Sequence, residues 1–255
     1  MTENNINDFQ PETGTHLEET PPPPADPLGQ RFVDLIIKPS RLMDNVGRAP
    51  FWVLPMVIII GVMAIFTYFT MAISGPEQME LMRDSKIMQM AGEGAWEKAY
   101  QDSLNPSSTK LLMTSVFSGL QIGVMMLLLA LILGFFAKMG GGKGRIVQAL
   151  GIVSWASLIP LALSSLIKLP LILQTESFYG TTLGLAALIP DGDPSSPLYQ
   201  VLLTFGDFFT WWGLALLVIG FERVYSMSRG AALAAVLLPW GLLSGIMVGV
   251  GILAM

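Results

Sequence analysis

The sequence contains no cysteine and only one histidine, His16, which lies in a polar stretch near the start. Disulfides, thiol nucleophiles and thiolate metal sites are therefore excluded. So is any Ser–His–Asp triad or histidine metal cluster built within the chain, and no cofactor or metal is expected. Charge is also scarce. Asp, Glu, Lys and Arg make up 13% of the residues, about half the fraction usual in a soluble domain. Hydrophobic residues make up 52%, a balance that reads as an all-α integral membrane protein. The formal net charge of −5 says less than its distribution along the chain. The first residues are polar and acidic, with no apolar core after a basic start. The first membrane helix is expected to direct insertion.

Residues 1–27 read as a disordered cytoplasmic tail, with Glu3, Asp8, Glu12, Glu18 and Glu19 and the run Pro21 to Pro24. They hold too few apolar side chains to offset their ordering entropy, and the proline run reads as a stiff spacer. In residues 28–49, Leu28, Phe32, Leu35, Ile36, Leu42, Met43 and Val46 recur at helical spacing, with Arg31, Asp34, Lys38, Arg41 and Arg48 opposite. This is an amphipathic segment suited either to the membrane interface or to the protein's own cytoplasmic face. Pro39 divides it into two short helices, with Ser40 expected to cap the second.

Residues 50–255 contain five apolar segments, at about 51–73, 111–137, 146–169, 201–221 and 231–253. Each approaches the ~20 residues that a membrane-spanning helix needs. Pro55 falls in a first turn, where its missing N–H costs little, and Pro160 should kink the third helix. The expected bundle of five transmembrane helices is oriented by its basic residues. The segment before the first helix and the second and fourth connections carry nine lysines and arginines, against five on the other side. The N-terminus is then cytoplasmic and the C-terminus outside, in a prokaryotic inner membrane. Two short amphipathic helices are expected in the first outer loop, around Met79, Met82 and Met90 and around Trp96, Tyr100 and Leu104. Asp191 and Asp193 in the second outer loop are too few for a calcium loop.

The stretch "KMGGGKGRIVQAL" imitates a phosphate-binding loop. It lacks the first glycine, which is Ala137 here, and the Ser or Thr after Lys143, and it joins two membrane helices rather than a strand and a helix. It reads as a tight cytoplasmic turn, with Lys138, Lys143 and Arg145 placed to meet anionic headgroups. Asp207, about six residues inside the fourth apolar segment, needs compensation there. Lys168, at the outer end of the third helix, is its expected partner, or else Asp207 caps a backbone amide. Glu222 and Arg223 read as an interfacial pair. Gly241, Gly245 and Gly249, and Ser115, Gly119 and Gly123, form small-residue ridges that suit close helix packing, inside the bundle or against a second copy or partner helix.

The order of an amphipathic segment, five helices, "GGGKGRIVQAL" running into "IVSWASLIP", and then "WWGLALLVIGFERVYSMSRGAALAAVL" resembles the prokaryotic branch of the Yip1-domain family. Residues Gly141 to Pro160 and Trp211 to Ala235 carry most of the likeness, although the longer tyrosine- and glycine-rich motif of eukaryotic members is not reproduced. The resemblance implies membrane organisation rather than catalysis, and it supplies no catalytic residues to carry over. Eukaryotic relatives associate with small prenylated GTPases. The expectation is a non-enzymatic organiser or adaptor engaging the lipid bilayer, membrane-protein partners or its own copies, with no nucleic acid. The alternative is a component of a small-solute or ion transporter that uses Asp207.

Overall fold

The computed structural model describes residues 26–83, 85–189, 194 and 196–254. The acidic tail up to residue 25, and Asp191 and Asp193, lie outside the described residues. The described chain is helical throughout its long elements. Among the described residues, four helices are long and apolar enough to cross a membrane: Val53–Leu81, Ser108–Met139, Ile146–Thr175 and Arg229–Val250.

The first two helices, α1 (Leu28–Ile37) and α2 (Pro39–Arg48), form a hairpin broken at Lys38. Pro39 opens α2, a position where the missing N–H removes no helical bond. Ser40 makes no cap, because the boundary falls at Lys38, one residue before the proline. α3 (Val53–Leu81) carries Pro55 in its first turn and continues well past the expected limit at residue 73, through Pro76. Two short helices then turn back, α4 (Lys86–Ala91) and α5 (Glu93–Leu104). Trp96 on α5 is anchored to α3 through Nε1, which donates to the Met79 carbonyl at 2.8 Å. Its ring stacks on Tyr100, with centroids 5.0 Å apart.

α6 (Ser108–Met139) is capped by Ser107, whose side chain accepts from the Lys110 N–H. It packs along α3 through two glycines. A Cβ at Gly119 would stand 2.6 Å from the Ile60 carbonyl oxygen, and one at Gly123 would stand 2.8 Å from Ile60 Cδ1. Lipid tails are as apolar as the side chains, so helices gain little from hydrophobic exclusion and rely on close contact and hydrogen bonds. One such bond joins Thr67 Oγ1 and Ser118 Oγ at 2.9 Å.

The third span is built from α7 (Ile146–Ser157), a π-helical turn (Leu158–Leu163) and α8 (Ser164–Thr175). Pro160 lies in the π-turn, which absorbs the proline within a continuous helical segment. A Cβ on Gly213 would stand 2.9 Å from Pro160 Cγ, so the glycine lets the two helices close at this point.

The fourth apolar segment departs from expectation. Residues 201–221 do not form one helix; the chain forms α9 (Pro197–Phe205) and α10 (Phe208–Val224). Gly206 ends the first and Asp207 caps the second, so Asp207 sits at a helix start rather than six residues inside a helix. Aspartate competes with helical hydrogen bonding inside a helix and satisfies orphan amides at its start. The last helix is α11 (Arg229–Ala254). The core gathers Trp155, Tyr225, Phe221, Ile152, Leu216, Ile59 and the α2 residues Leu42, Met43 and Val46, all fully buried.

The two glycine ridges have different fates. Gly119 and Gly123 are filled by α3, whereas a Cβ on Gly241, Gly245 or Gly249 would meet nothing within 4 Å. Packing inside the bundle therefore accounts for the first ridge and not the second. Gly119→Ala should cost about 1–3 kcal/mol through overpacking, while Gly241→Ala should stay within about 0.5 kcal/mol of wild type. Unfolding titrations in mixed micelles check both, and equal losses at the two positions would remove the α3–α6 contact from this account.

Candidate functional site

Two polar centres stand out, one at each end of the bundle. The first joins the hairpin, the glycine-rich turn and the α10–α11 connection. Gly141 takes φ +86°, a conformation that glycine adopts freely. The other glycines are required by space. Cβ atoms on Gly142 and Gly144 would run into the Tyr225 ring, and one on Gly140 would stand 2.9 Å from Met227 Cε. The Tyr225 hydroxyl donates to the Arg145 carbonyl at 3.0 Å, and the Lys143 N–H donates to the Tyr225 carbonyl at 3.0 Å. The turn is a socket for one aromatic side chain. Lys138, Lys143 and Arg145 are exposed.

Gln148 extends this centre to the hairpin. Its Oε1 accepts from the Arg145 N–H at 2.8 Å, and its Nε2 donates to the Gly47 carbonyl at 2.8 Å. Glu222 and Arg223 do not pair with each other: Arg223 reaches Asp44 at 3.2 Å, and Glu222 meets Arg229 at 3.4 Å. Neighbours on a helix point in different directions, so each finds a partner on another element. Within the hairpin, Asp26 accepts from Arg41 Nε at 3.0 Å and from Asn45 Nδ2 at 2.7 Å. These two bonds, led by Arg41, hold the Asp26 carboxyl below the usual carboxylate range. Asp34, nearly fully buried, lies 3.4 Å from the same guanidinium. Buried Arg31 donates to the Asp26 carbonyl at 3.0 Å, and desolvation lowers its pKa.

α1 thus turns two charges inward beside Leu35. Val33, Ile36 and Ile37 on α1 are exposed, at 49, 54 and 67%. Phe32 packs inward, its ring 5.1 Å from that of Trp155, whose Nε1 donates to the Phe51 carbonyl at 3.0 Å.

The second centre brings Lys168 and Asp207 together, with Nζ 3.6 Å from Oδ2. Asp207 Oδ1 accepts from the Phe209 N–H at 2.8 Å. The segment before α9 packs against this break: Gly184 and Asp207 form an isolated antiparallel bridge, and the Leu185 N–H donates to the Gly206 carbonyl at 3.1 Å. A cavity of about 170 Å³ opens beside the pair, lined by Phe66, Lys168, Ile172, Phe178, Tyr179, Thr181, Thr182, Leu203 and Asp207. Glu77 on α3 braces one wall, its Oε2 accepting from the Phe178 and Tyr179 amides at 2.8 and 3.1 Å.

Several of these residues escape a sequence reading. Tyr225 and Gln148 act on partners far along the chain. Glu77 falls inside an apparently acidic loop, and its only signal is the Pro76 before it. Asp26 sits at the edge of a tail whose composition suggests no structure, and the i, i+4 spacing of Arg41 and Asn45 is the only hint of a shared acceptor.

Gly144→Ala should lower stability by about 1–3 kcal/mol, and adding Tyr225→Ala to that variant should cost less than Tyr225→Ala costs alone. Additive losses in thermal unfolding would show that the glycine and the ring do not share a contact. At the other end, Asp207→Ala should lose about 1 kcal/mol relative to Asp207→Asn, because asparagine caps as well as aspartate. Equal losses, or the opposite order, in thermal unfolding would remove the cap as a source of stability.

The Yip1 domain family model matches residues 33–250. No curated protein and no solved structure matches the chain. The matched span runs from within α1 into α11 and takes in the second polar centre, the first apart from Asp26 and Arg31, and all four long apolar helices. The chain belongs to the Yip1-domain family and is a multi-pass integral membrane protein.

Proposed function

We propose that this protein is a non-enzymatic membrane organiser or adaptor that engages lipids and other membrane proteins through its N-terminal hairpin. The observation that carries the reading is the apolar stripe that α1 leaves uncovered. Arg31, Asp34 and Leu35 are buried against the protein, while Val33, Ile36 and Ile37 are exposed. A soluble face would be arranged the other way round. An outward apolar stripe beside membrane spans suits the interfacial layer, where acyl chains meet it.

The proposed topology follows from the same end of the molecule. Arg31, Lys38, Arg41 and Arg48 on the hairpin join Lys138, Lys143 and Arg145 on the turn and Arg223 and Arg229 after α10, and the three segments are bonded to one another. Concentrated basic charge favours the cytoplasmic side. α10 then provides a fifth crossing. It begins at Asp207 beside Lys168 and ends at Tyr225 beside the glycine turn, about 25 Å along a 17-residue helix. The N-terminus is cytoplasmic and the C-terminus lies outside. The open ridge of Gly241, Gly245 and Gly249 on α11 offers a second surface, for a partner helix or another copy.

The full-length protein with Val33, Ile36 and Ile37 all changed to serine tests the hairpin. Proximity labelling in the native membrane should lose most of the neighbours marked by wild type, with abundance and melting temperature retained. An unchanged neighbour set, together with solute flux through reconstituted liposomes, would replace the adaptor with a transporter.

A further inference from the structure

The cavity between α3, α8 and the break between α9 and α10 has the elements of a ligand site, and nothing in the adaptor reading uses it. Its two charged groups form an ion pair that makes no direct hydrogen bond. The distance of 3.6 Å between Lys168 Nζ and Asp207 Oδ2 exceeds hydrogen-bond range. Lys168 is 25% exposed and Asp207 17%, so water screens them only in part. An ammonium has three donors, yet among the described residues Lys168 has only this loose ion pair. Oδ1 of Asp207 is occupied by the Phe209 amide, which leaves Oδ2 as an acceptor with capacity to spare.

The walls narrow the class of occupant. Phe66, Phe178, Ile172 and Leu203 are apolar, and Tyr179, Thr181 and Thr182 add hydroxyls. Thr181 Oγ1 donates to the Ser177 carbonyl, and Thr182 Oγ1 accepts from the Gly184 amide. Tyr179 lines the cavity, and its hydroxyl has no hydrogen-bond partner among the described residues. The volume of about 170 Å³ lies below the ~300–1,000 Å³ of sites for drug-sized ligands. A simple anion would meet Asp207 and a simple cation would meet Lys168. A small molecule carrying both charges turns each repulsion into a charge-assisted bond.

Depth points to the membrane surface. Lys168 lies 22 residues along the third span from Ile146, which is roughly 33 Å of helix and close to the ~30 Å of a bilayer's hydrocarbon. The cavity is therefore level with the headgroups of the leaflet opposite the basic turn. Leu166, Ile167 and Leu173 on the same helix, α8, are exposed. Irregular backbone at membrane depth, such as the Gly184–Asp207 bridge, is tolerated where it is packed by protein or lines a cavity.

We propose that this cavity binds a small zwitterion with an ammonium and an oxyanion a few bonds apart, as in an ethanolamine phosphate, its oxyanion held by Lys168 and Tyr179 and its ammonium by Asp207. The group can arrive on a phospholipid or as a free solute, and the test separates the two. Full-length protein is delipidated in detergent and offered equimolar dioleoyl phosphatidylethanolamine and dioleoyl phosphatidylglycerol, and native mass spectrometry counts retained lipids. In a second arm, O-phosphoethanolamine alone is added and the melting temperature is read. The variants are Lys168→Met, Asp207→Asn, which keeps the helix cap, and Leu203→Trp, which fills the cavity without altering a charge. A lipid site retains the ethanolamine lipid preferentially in wild type and loses it about ten-fold in all three variants. A solute site shows no such preference among lipids, but wild type gains thermal protection from the free headgroup and the three variants do not. Retention and protection that are absent in wild type, or equal in wild type and Leu203→Trp, overturn the proposal.

Discussion

The docking of Tyr225 into the glycine-rich turn is the contact on which the rest of the hairpin end depends. One side chain from the end of α10 fills a socket between α6 and α7, and two hydrogen bonds lock it there. α7 is thereby placed so that Gln148 can reach the hairpin, and α10 so that Arg223 can reach Asp44. Helices in lipid have little apolar driving force to bring them together. A few close, polar-edged contacts must therefore set the arrangement, and this is the most connected of them. The motif that imitates a phosphate loop is a socket whose occupant is part of the protein itself.

Much of the architecture was legible. Long apolar runs located α3, α6, the third span and α11, because crossing hydrocarbon demands length and apolarity, and both can be counted along a sequence. The proline at position 39 correctly divided the N-terminal segment. The break in the fourth run was not seen, because hydropathy counts apolar residues and is blind to backbone termination. Gly206-Asp207 is a stop followed by a cap, a local signal outweighed by the phenylalanines and tryptophans around it.

Other features lay beyond any local reading. Helical periodicity divides α1 into an apolar side and a charged side, but it does not say which side faces the protein. The hairpin buries Arg31 and Asp34 beside Leu35, since the Asp26 carbonyl and the Arg41 guanidinium supply partners for the two charges. The two glycine ridges share one spacing and differ in fate, because whether a neighbour fills a groove is a property of the assembled bundle. Tyr225 and Arg145 are eighty positions apart, and no spacing rule connects them.

The π-turn around Pro160 has a consequence for phase. Such a turn holds one residue more than the α-helical turn it replaces, and one residue of helix is a rotation of about 100°. Everything on the span after Leu163 is dialled round by that angle relative to Ile146–Ser157. Lys168 meets Asp207 in the setting that includes this extra residue. Were the helix regular, Lys168 would be turned by about 100° from the bearing on which it meets Asp207. The irregularity works as an angular offset that sets the aim of a charge two turns away.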